Sequence, residues 1–210
     1  MWSSDLMVAA EHTERIELGT SIAVAFARNP MLLANLGHDL QRYTNGRFIL
    51  GLGTQIKPHI TKRFSMEWSN PAARMREMIS AVRAIWSTWN EGTKLDSRGD
   101  FYRHTLMTPL FDPGPNEFGP PPVYTGGFGP RMTAVAGETA DGFFAHPFNT
   151  RESMLKNMLP ALERGLAKSG RTRDALDIIC ATLVVTADTE EDFERVVLAA
   201  RKQLGFYGST

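Results

Sequence analysis

The chain has 210 residues and a formal net charge of zero, with 23 basic and 23 acidic side chains. This balance argues against a nucleic-acid-binding protein, because such proteins usually carry a clustered basic excess. The single cysteine excludes an intramolecular disulfide framework and indicates a reducing compartment. We find neither a secretory signal nor an apolar run of about 18 residues, so we expect a cytoplasmic protein without a membrane span.

The first part of the chain alternates between helical and strand patterns. We expect a helix over residues 1–13 and a buried strand over 16–27. Asn29-Pro30 supplies a cap and a first turn for a helix that ends at Asn45-Gly46. The run 48–53 is apolar at nearly every position, which is typical of a parallel strand covered by helices on both faces.

The clearest helix of the sequence begins at Asn70-Pro71. Its apolar side chains recur at steps of three and four and form one stripe that ends at Trp89. The pattern then breaks over 92–122, where six of the twelve prolines lie between Pro109 and Pro122. Long segments of this kind are rare in a compact domain, so we interpret 92–122 as an excursion over one face.

Regular patterns return in the last part of the chain, where strands and helices alternate again. The predicted elements are strand 123–125, helix 130–137, strand 142–144, helix 150–169 with a kink at Pro160, strand 176–187 and a final helix capped at Thr189. Cys180 lies among apolar residues, so we expect it in the core. About five strands alternating with helices indicate an α/β fold with a parallel sheet. That count fits either a complete small doubly wound sheet or part of a (β/α)8 barrel.

Three segments at predicted strand ends are candidates for a binding site. The glycine turn 126–129 before a helix could bind a phosphate or could be a plain tight turn. Gly51 and Gly53 could let a flat ring lie against the strand end or could serve helix–strand packing. The segment 19–23 places small polar residues within an apolar strand, and it could be part of an ordinary strand. The five histidines show no metal-ligand spacing, so no metal site is predicted.

Five motifs, taken together and in this order, resemble the bacterial luciferase-like flavin and deazaflavin oxidoreductases. They are Gly19-Thr20-Ser21-Ile22, Arg28-Asn29-Pro30, Asn45-Gly46-Arg47-Phe48-Ile49-Leu50-Gly51-Leu52-Gly53-Thr54, Tyr124-Thr125-Gly126-Gly127 and Ala140-Asp141-Gly142-Phe143-Phe144. The stretch 48–89 is similar to an actinobacterial subgroup that is predicted to use coenzyme F420.

The resemblance implies a luciferase-like TIM (β/α)8 barrel that is incomplete in this chain. The predicted strands correspond to barrel strands three to seven, so the chain is a single partial domain over 1–210, truncated at both ends. Segment 92–122 corresponds to the family's insertion after the fourth strand. The resemblance also implies a bulge with a non-proline cis peptide bond at Ser21-Ile22.

The resemblance further implies a cofactor site at the carboxyl ends of the strands. Its residues would be Ser21, Ile22, Gly53, Thr54, Gln55, Gly126, Gly127, Phe128 and His146. The central ring would lie against Ser21-Ile22, and the phosphate would lie on the glycine turn. Relatives that oxidise sugar phosphates have a glutamate where this chain has Ile56, which argues against a glucose-6-phosphate-type substrate. The first two strands often supply the acid–base residues, so no catalytic residue is assigned.

The expected function is therefore hydride transfer between coenzyme F420 and a small organic substrate, by a homodimer. Two alternatives stay open. One is an FMN-dependent luciferase-like monooxygenase. The other is a catalytically silent barrel fragment, whose exposed strand edges would aggregate or pair with another chain.

Overall fold

The computed structural model describes residues 3–208, and it shows helices and strands alternating along the chain. The helices are α1 (Ser3–Glu11), α2 (Pro30–Tyr43), α3 (Pro71–Glu91), α4 (Pro130–Thr139), α5 (Arg151–Ser153), α6 (Leu159–Lys168) and α7 (Glu190–Gly208). The strands are β1 (Leu18–Gly19), β2 (Ala23–Val24), β3 (Phe48–Gly53), β4 (Ser97–Arg98), β5 (Arg103–His104), β6 (Val123–Gly126), β7 (Gly142–Ala145) and β8 (Asp177–Cys180). The predicted first helix begins at residues 1 and 2, which lie outside the described part.

The main sheet is parallel throughout and curls into half of a barrel. Its strands follow the order β1, β3, β6, β7 and β8, and β2 also pairs with β3. Spatial order thus equals chain order, with a helix between successive strands, as in a (β/α)8 barrel. The predicted incomplete luciferase-like barrel is confirmed.

The core lies between the outer face of the sheet and the helices. The apolar stripe predicted on α3 is fully buried there, from Met75 to Trp89, and it packs against Leu50, Leu52 and the buried face of α2. A second cluster around Phe143 and Leu162 joins β7 to the helices α4 and α6. Burial on both faces of β3 explains its nearly continuous apolar sequence.

The strand predicted over 16–27 is divided into two short strands. Leu18 and Gly19 pair with Phe48 and Ile49, whereas Ala23 and Val24 pair with Leu52 and Gly53. Four residue steps on this segment therefore oppose three on β3, which is the register of a bulge with one extra residue. The Ser21–Ile22 peptide bond within it is cis, as the resemblance implies. Residues Ala25–Ala27 continue as a 3-10 turn.

The strand predicted over 176–187 was too long, and the prediction of a core position for Cys180 was wrong. Only Asp177–Cys180 pair with β7, and β8 is an edge of the described sheet. Cys180 is exposed there, because within the described residues its strand is paired on one side only. An apolar run alone does not distinguish a central strand from an edge strand.

The helix predicted over 150–169 is interrupted near Pro160. A π-turn over Met154–Met158 separates α5 from α6, and the Leu159 N–H donates to the Met154 carbonyl. Proline has no N–H and disturbs the hydrogen-bond ladder before it, which accounts for the irregular turn. The cap predicted at Thr189 is confirmed, because its Oγ1 accepts the Asp192 N–H at 3.2 Å.

Within segment 92–122, β4 and β5 form an antiparallel hairpin that lies against α3. The Glu77 carboxylate on α3 accepts the backbone N–H groups of Asp100, Phe101 and Tyr102. A Cβ at Gly99 would lie 2.1 Å from the Glu77 carboxyl carbon, so a side chain at this position would displace the carboxylate from the clamp. The hairpin is therefore fixed to α3 through its backbone.

Helices α4 and α6 cross at two glycines that allow close backbone contact. A Cβ at Gly165 would lie 1.9 Å from the Ala134 carbonyl oxygen, and one at Gly137 would lie 2.2 Å from the Leu162 carbonyl oxygen. Both helices are buried along this contact. The pair of glycines thus sets how closely α6 approaches the barrel.

We expect Gly165→Ala to lower the free energy of unfolding by about 2 kcal/mol, because the added methyl group forces the helices apart. Gly205→Ala on α7 is the matched control, since a Cβ there would meet no atom within 4 Å. Alanine should stabilise that helix position by up to about 1 kcal/mol. Denaturant unfolding of both variants measures the difference. Equal effects in the two variants would contradict this account of the crossing.

Candidate functional site

The predicted site residues lie together at the carboxyl ends of the parallel strands. The bulge after β1, the end of β3, the turn after β6 and the residue after β7 lie there. We call this region the mouth, and we define it by the residues Ser21, Ile22, Gly53, Thr54, Gln55, Gly126, Gly127, Phe128 and His146. In barrels of this kind, binding sites are built at the carboxyl ends of the strands.

The Thr20 side chain holds the bulge in the mouth against β3. Its hydroxyl donates to the Gly51 carbonyl at 2.7 Å and accepts the Gly51 N–H at 3.0 Å. The side chain thus satisfies both backbone groups at the position where the strand ladder is interrupted. The sequence marked Thr20 only as part of a small polar run, and the hydroxyl's role is visible only once the register is known.

Glycines at the end of β3 make room for this bulge. A Cβ at Gly51 would lie 1.7 Å from the Thr20 carbonyl oxygen, and one at Gly53 would lie 2.6 Å from the Ile22 side chain. These glycines therefore face the bulge, so helix–strand packing is not the reason for them. Phe144 also approaches Gly51 from β7, a contact that the sequence pattern did not identify.

The Ile22 side chain lies between Gly53 at the end of β3 and Gly126 at the end of β6. Its side chain touches the Cα side of Gly53, and its Cγ2 would lie 3.6 Å from a Cβ at Gly126. Ile22 is partly exposed. Ile22 fills the space that a side chain at 53 would take, and the glycine at 126 leaves the surface beside Ile22 clear. An apolar platform thus lies across the ends of β3 and β6, which suits a flat ring.

The glycine turn after β6 leads directly into α4. Gly127 has no room for a side chain, because a Cβ would lie 2.3 Å from Cγ of Met132. Gly129 precedes the helix with a φ of +83°, and no side chain caps the helix N-terminus. The first-turn N–H groups therefore lack a side-chain acceptor, and an anion could bind them.

His146 lies beside Phe128 on the far side of the mouth. The two rings meet edge to face with centroids 5.2 Å apart. The Phe148 N–H donates to Nδ1 of His146 at 3.1 Å, so the neutral ring carries its proton on Nε2. Burial lowers the pKa of His146 below its usual 6.5, and the ring is neutral at pH 7.

The remaining mouth residues line its rim. Gln55 has a left-handed backbone with a φ of +60°, and its carbonyl accepts the Thr54 hydroxyl at 2.9 Å. Ile56, Phe128 and Phe148 leave 42%, 62% and 42% of their surfaces exposed. The rim is thus apolar on both sides of the platform.

Among residues 3–208, no three His, Cys, Asp or Glu side chains are grouped as metal ligands would be. None of the described helices is long and apolar enough to cross a bilayer.

Thr20→Val should lower the free energy of unfolding by about 1–3 kcal/mol, because both Gly51 backbone groups then lose their partner. Thr20→Ser keeps the hydroxyl and should cost less than about 1 kcal/mol. Denaturant unfolding compares the two variants. A serine variant as unstable as the valine variant would show that the methyl group, and not the hydroxyl, holds the bulge.

Comparison with known proteins begins with close sequence relatives. An uncharacterized protein of Mycobacterium bovis is 53% identical over 205 residues, which cover 98% of this chain and 60% of the relative. An F420-dependent glucose-6-phosphate dehydrogenase of Intrasporangium calvum is 34% identical over 178 residues, covering 82% of this chain and 51% of the enzyme. The chain thus spans 60% or less of the length of these relatives.

Solved structures share the fold at lower identity. The coenzyme F420-dependent tetrahydromethanopterin reductase from Methanopyrus kandleri matches with a TM-score of 0.72 and 24% identity, over 90% of this chain and 56% of the reductase. An FMN-bound type II Baeyer–Villiger monooxygenase from Pseudomonas putida matches with a TM-score of 0.70 and 19% identity, over 94% and 57%. The family model described as luciferase-like monooxygenase matches residues 6–210. The chain therefore belongs to the luciferase-like monooxygenase family.

Proposed function

We propose that this chain carries the cofactor site of an oxidoreductase that transfers a hydride between coenzyme F420 and a small organic substrate. The observation that carries the proposal is the mouth, where an apolar platform adjoins an uncapped helix N-terminus. A deazaflavin or flavin has the matching parts, a flat ring and a phosphate. When bound, the cofactor supplies the hydride chemistry, and the protein supplies orientation.

The ring would lie on the platform. In this proposal, Ser21 and Ile22 support its central part, and Gly53 makes room for the Ile22 side chain beneath it. Thr54 and Gln55 would contact the chain that links the ring to its phosphate. The partly exposed Ile22 side chain and the missing side chain at 126 support this placement.

The phosphate would lie on the glycine turn. Gly126, Gly127 and Phe128 present backbone at the start of α4, whose positive end favours an anion. His146 adjoins Phe128 and is neutral at pH 7. We propose that it contributes a hydrogen-bond donor, not a positive charge, to the bound cofactor.

Relatives of this chain favour F420 over FMN. The Intrasporangium calvum enzyme and a 5,10-methylenetetrahydromethanopterin reductase relative from Archaeoglobus fulgidus, 28% identical over 199 residues, support deazaflavin or pterin-linked hydride transfer. An FMN-dependent monooxygenase is the second candidate, and the fold shared with the FMN-bound Pseudomonas putida enzyme supports it.

The substrate class is narrowed by Ile56. Its exposed apolar side chain beside the mouth cannot take part in proton transfer, whereas the resemblance implies a glutamate at this position in family members that oxidise sugar phosphates. We therefore propose a substrate other than a sugar phosphate, even though one of the relatives acts on glucose 6-phosphate.

A catalytically silent fragment is the remaining alternative. The described sheet ends at β1 and at β8, so groups that close the barrel in longer relatives would be needed for turnover. The chain could therefore bind the cofactor without turning over a substrate, so cofactor affinity is the quantity to measure.

We expect the purified chain to bind F420 with micromolar affinity and to bind FMN at least tenfold more weakly, as measured by fluorescence titration of each cofactor. Gly126→Val should weaken binding at least tenfold, because its side chain would stand on the platform. A Cβ at this position makes only ordinary contacts, so the fold should survive.

Ser80→Val, on the exposed outer face of α3, is the control and should bind like the parent chain. Tight binding of FMN alone would establish the monooxygenase candidate. If the folded chain binds neither cofactor, the catalytically silent fragment is the interpretation that remains. Equal loss in both variants would show that the platform is not the site.

A further inference from the structure

Arg74 lies in the first turn of α3, directly after the segment 54–70 that connects β3 to this helix. Its side chain contacts three parts of the chain that are distant in sequence. The Nε–H donates to the Tyr102 hydroxyl at 2.9 Å, and Nη1 donates to the Glu67 carbonyl at 2.7 Å. The guanidinium carbon lies 4.8 Å from the centroid of the Phe26 ring. One side chain thus joins segment 54–70, the turn of the β4–β5 hairpin and the 3-10 turn after β2.

The surroundings of this guanidinium are specific for arginine. In the described part of the chain Arg74 belongs to no salt bridge, and its hydrogen bonds go to two neutral oxygens. The Phe26 ring beneath it is fully buried and meets Trp68 edge to face at 5.7 Å. A planar guanidinium can lie on a ring and donate hydrogen bonds in its own plane at the same time, whereas an ammonium group cannot.

Backbone hydrogen bonds connect the Arg74 contact to the rim of the mouth. The Met66 N–H donates to the Ile60 carbonyl at 3.0 Å, and the Ile60 N–H donates to the Ile56 carbonyl at 3.2 Å. The Ile60 side chain is fully buried in the core, which fixes the middle of this path. Arg74 fixes its far end through the carbonyl of Glu67, the residue after Met66. The rim position of Ile56 is therefore linked to an anchor outside the mouth.

Segment 54–70 has a backbone that needs such an anchor. Gln55, Ser65 and Asn70 have φ angles of +60°, +54° and +36°, in the left-handed region that side chains other than glycine rarely adopt. Conformations of this kind persist where the surrounding structure enforces them. β3 holds one end of the segment, and Arg74 holds the other.

The hairpin of segment 92–122 holds the Arg74 side chain in turn. Tyr102 accepts the Arg74 Nε–H through its hydroxyl and donates its backbone N–H to the Glu77 carboxylate. Arg74 and Glu77 are three residues apart, so both lie on the same face of α3. The two side chains thus bind Tyr102 at its tip and at its backbone, and the guanidinium has one preferred position.

We propose that Arg74 is a positioning residue for the cofactor site, which holds segment 54–70 in the shape that places Gln55 and Ile56 on the rim of the mouth before a ligand binds. A site that is ordered in advance loses less conformational entropy on binding and binds more tightly. The ligand in this inference rests on the proposed function, whereas the anchoring of the segment does not.

Hydrogen–deuterium exchange of the cofactor-free chain tests the anchor without any ligand. Arg74→Met keeps the apolar stem and removes both hydrogen bonds, so we expect amides in 56–67 to exchange roughly tenfold faster. Amides of α6 should exchange as in the parent chain. Unchanged exchange in 56–67, or an equal rise in α6, would overturn the proposal.

Arg76→Met is the matched control, because Arg76 lies on the same helix and its side chain binds Glu138 on α4 at 2.9 Å. Glu138 keeps Lys168 as a partner at 2.7 Å, so this variant should leave exchange in 56–67 unchanged. A rise as large as that of Arg74→Met would refute the specific role of Arg74.

Tyr102→Phe is a milder variant that keeps the aromatic ring and removes the hydroxyl that accepts the Arg74 Nε–H. The bond to the Glu67 carbonyl remains, so we expect exchange in 56–67 to rise only about threefold. An effect no larger than that of Arg76→Met would show that the hairpin does not hold the guanidinium.

Fluorescence titration with F420 tests the consequence for the site. We expect Arg74→Met to weaken F420 binding about fivefold and Arg76→Met to leave it unchanged. A loss of stability alone would lower the free energy of unfolding without changing the affinity of the folded chain. Unchanged affinity in a chain whose segment 54–70 is loosened would overturn the positioning role. A parent chain that binds neither F420 nor FMN would contradict the proposed function, and the exchange rates would then decide the role of Arg74.

Discussion

The two hydrogen bonds between the Thr20 hydroxyl and the backbone of Gly51 determine the geometry of the mouth. A parallel sheet ordinarily satisfies its own backbone groups, and one extra residue would leave a carbonyl and an N–H unpaired. The threonine side chain supplies both partners at once. The bulge can therefore turn Ile22 toward β6 without breaking the pairing of β2 with β3.

Periodicity predicted most of the fold, because burial imposes it directly on the sequence. The stripe on α3 and the apolar run of β3 are examples, since both are buried against the same core. Asn29 and Pro30 marked the start of α2 equally well, because capping is a local interaction that the chain encodes in adjacent residues. Boundaries of this kind need no knowledge of the tertiary structure.

Sequence patterns predicted the structure less well where contacts between distant parts of the chain determine it. Residues 181–187 are as apolar as a strand, but β8 lies at an edge and pairs only as far as Cys180. The contact between Phe144 and Gly51 joins residues of two different strands. Glycines 51 and 53 allowed two interpretations in sequence, because a missing side chain does not reveal what approaches it. The sequence motifs therefore predicted which segments form the mouth. The pairing register of the strands showed how those segments contact one another.

The Glu77 clamp has a consequence for how segment 92–122 can vary. The Glu77 carboxylate accepts hydrogen bonds from three successive backbone N–H groups of the hairpin. These bonds involve no side chain of the hairpin. Side chains at 100 and 101 can thus be exchanged without loss of the anchor, whereas position 77 needs two acceptor oxygens and a side chain at position 99 would displace them. The attachment of this segment to the barrel therefore depends on one carboxylate and on backbone N–H groups, and the identity of the side chains at 100 and 101 does not enter it.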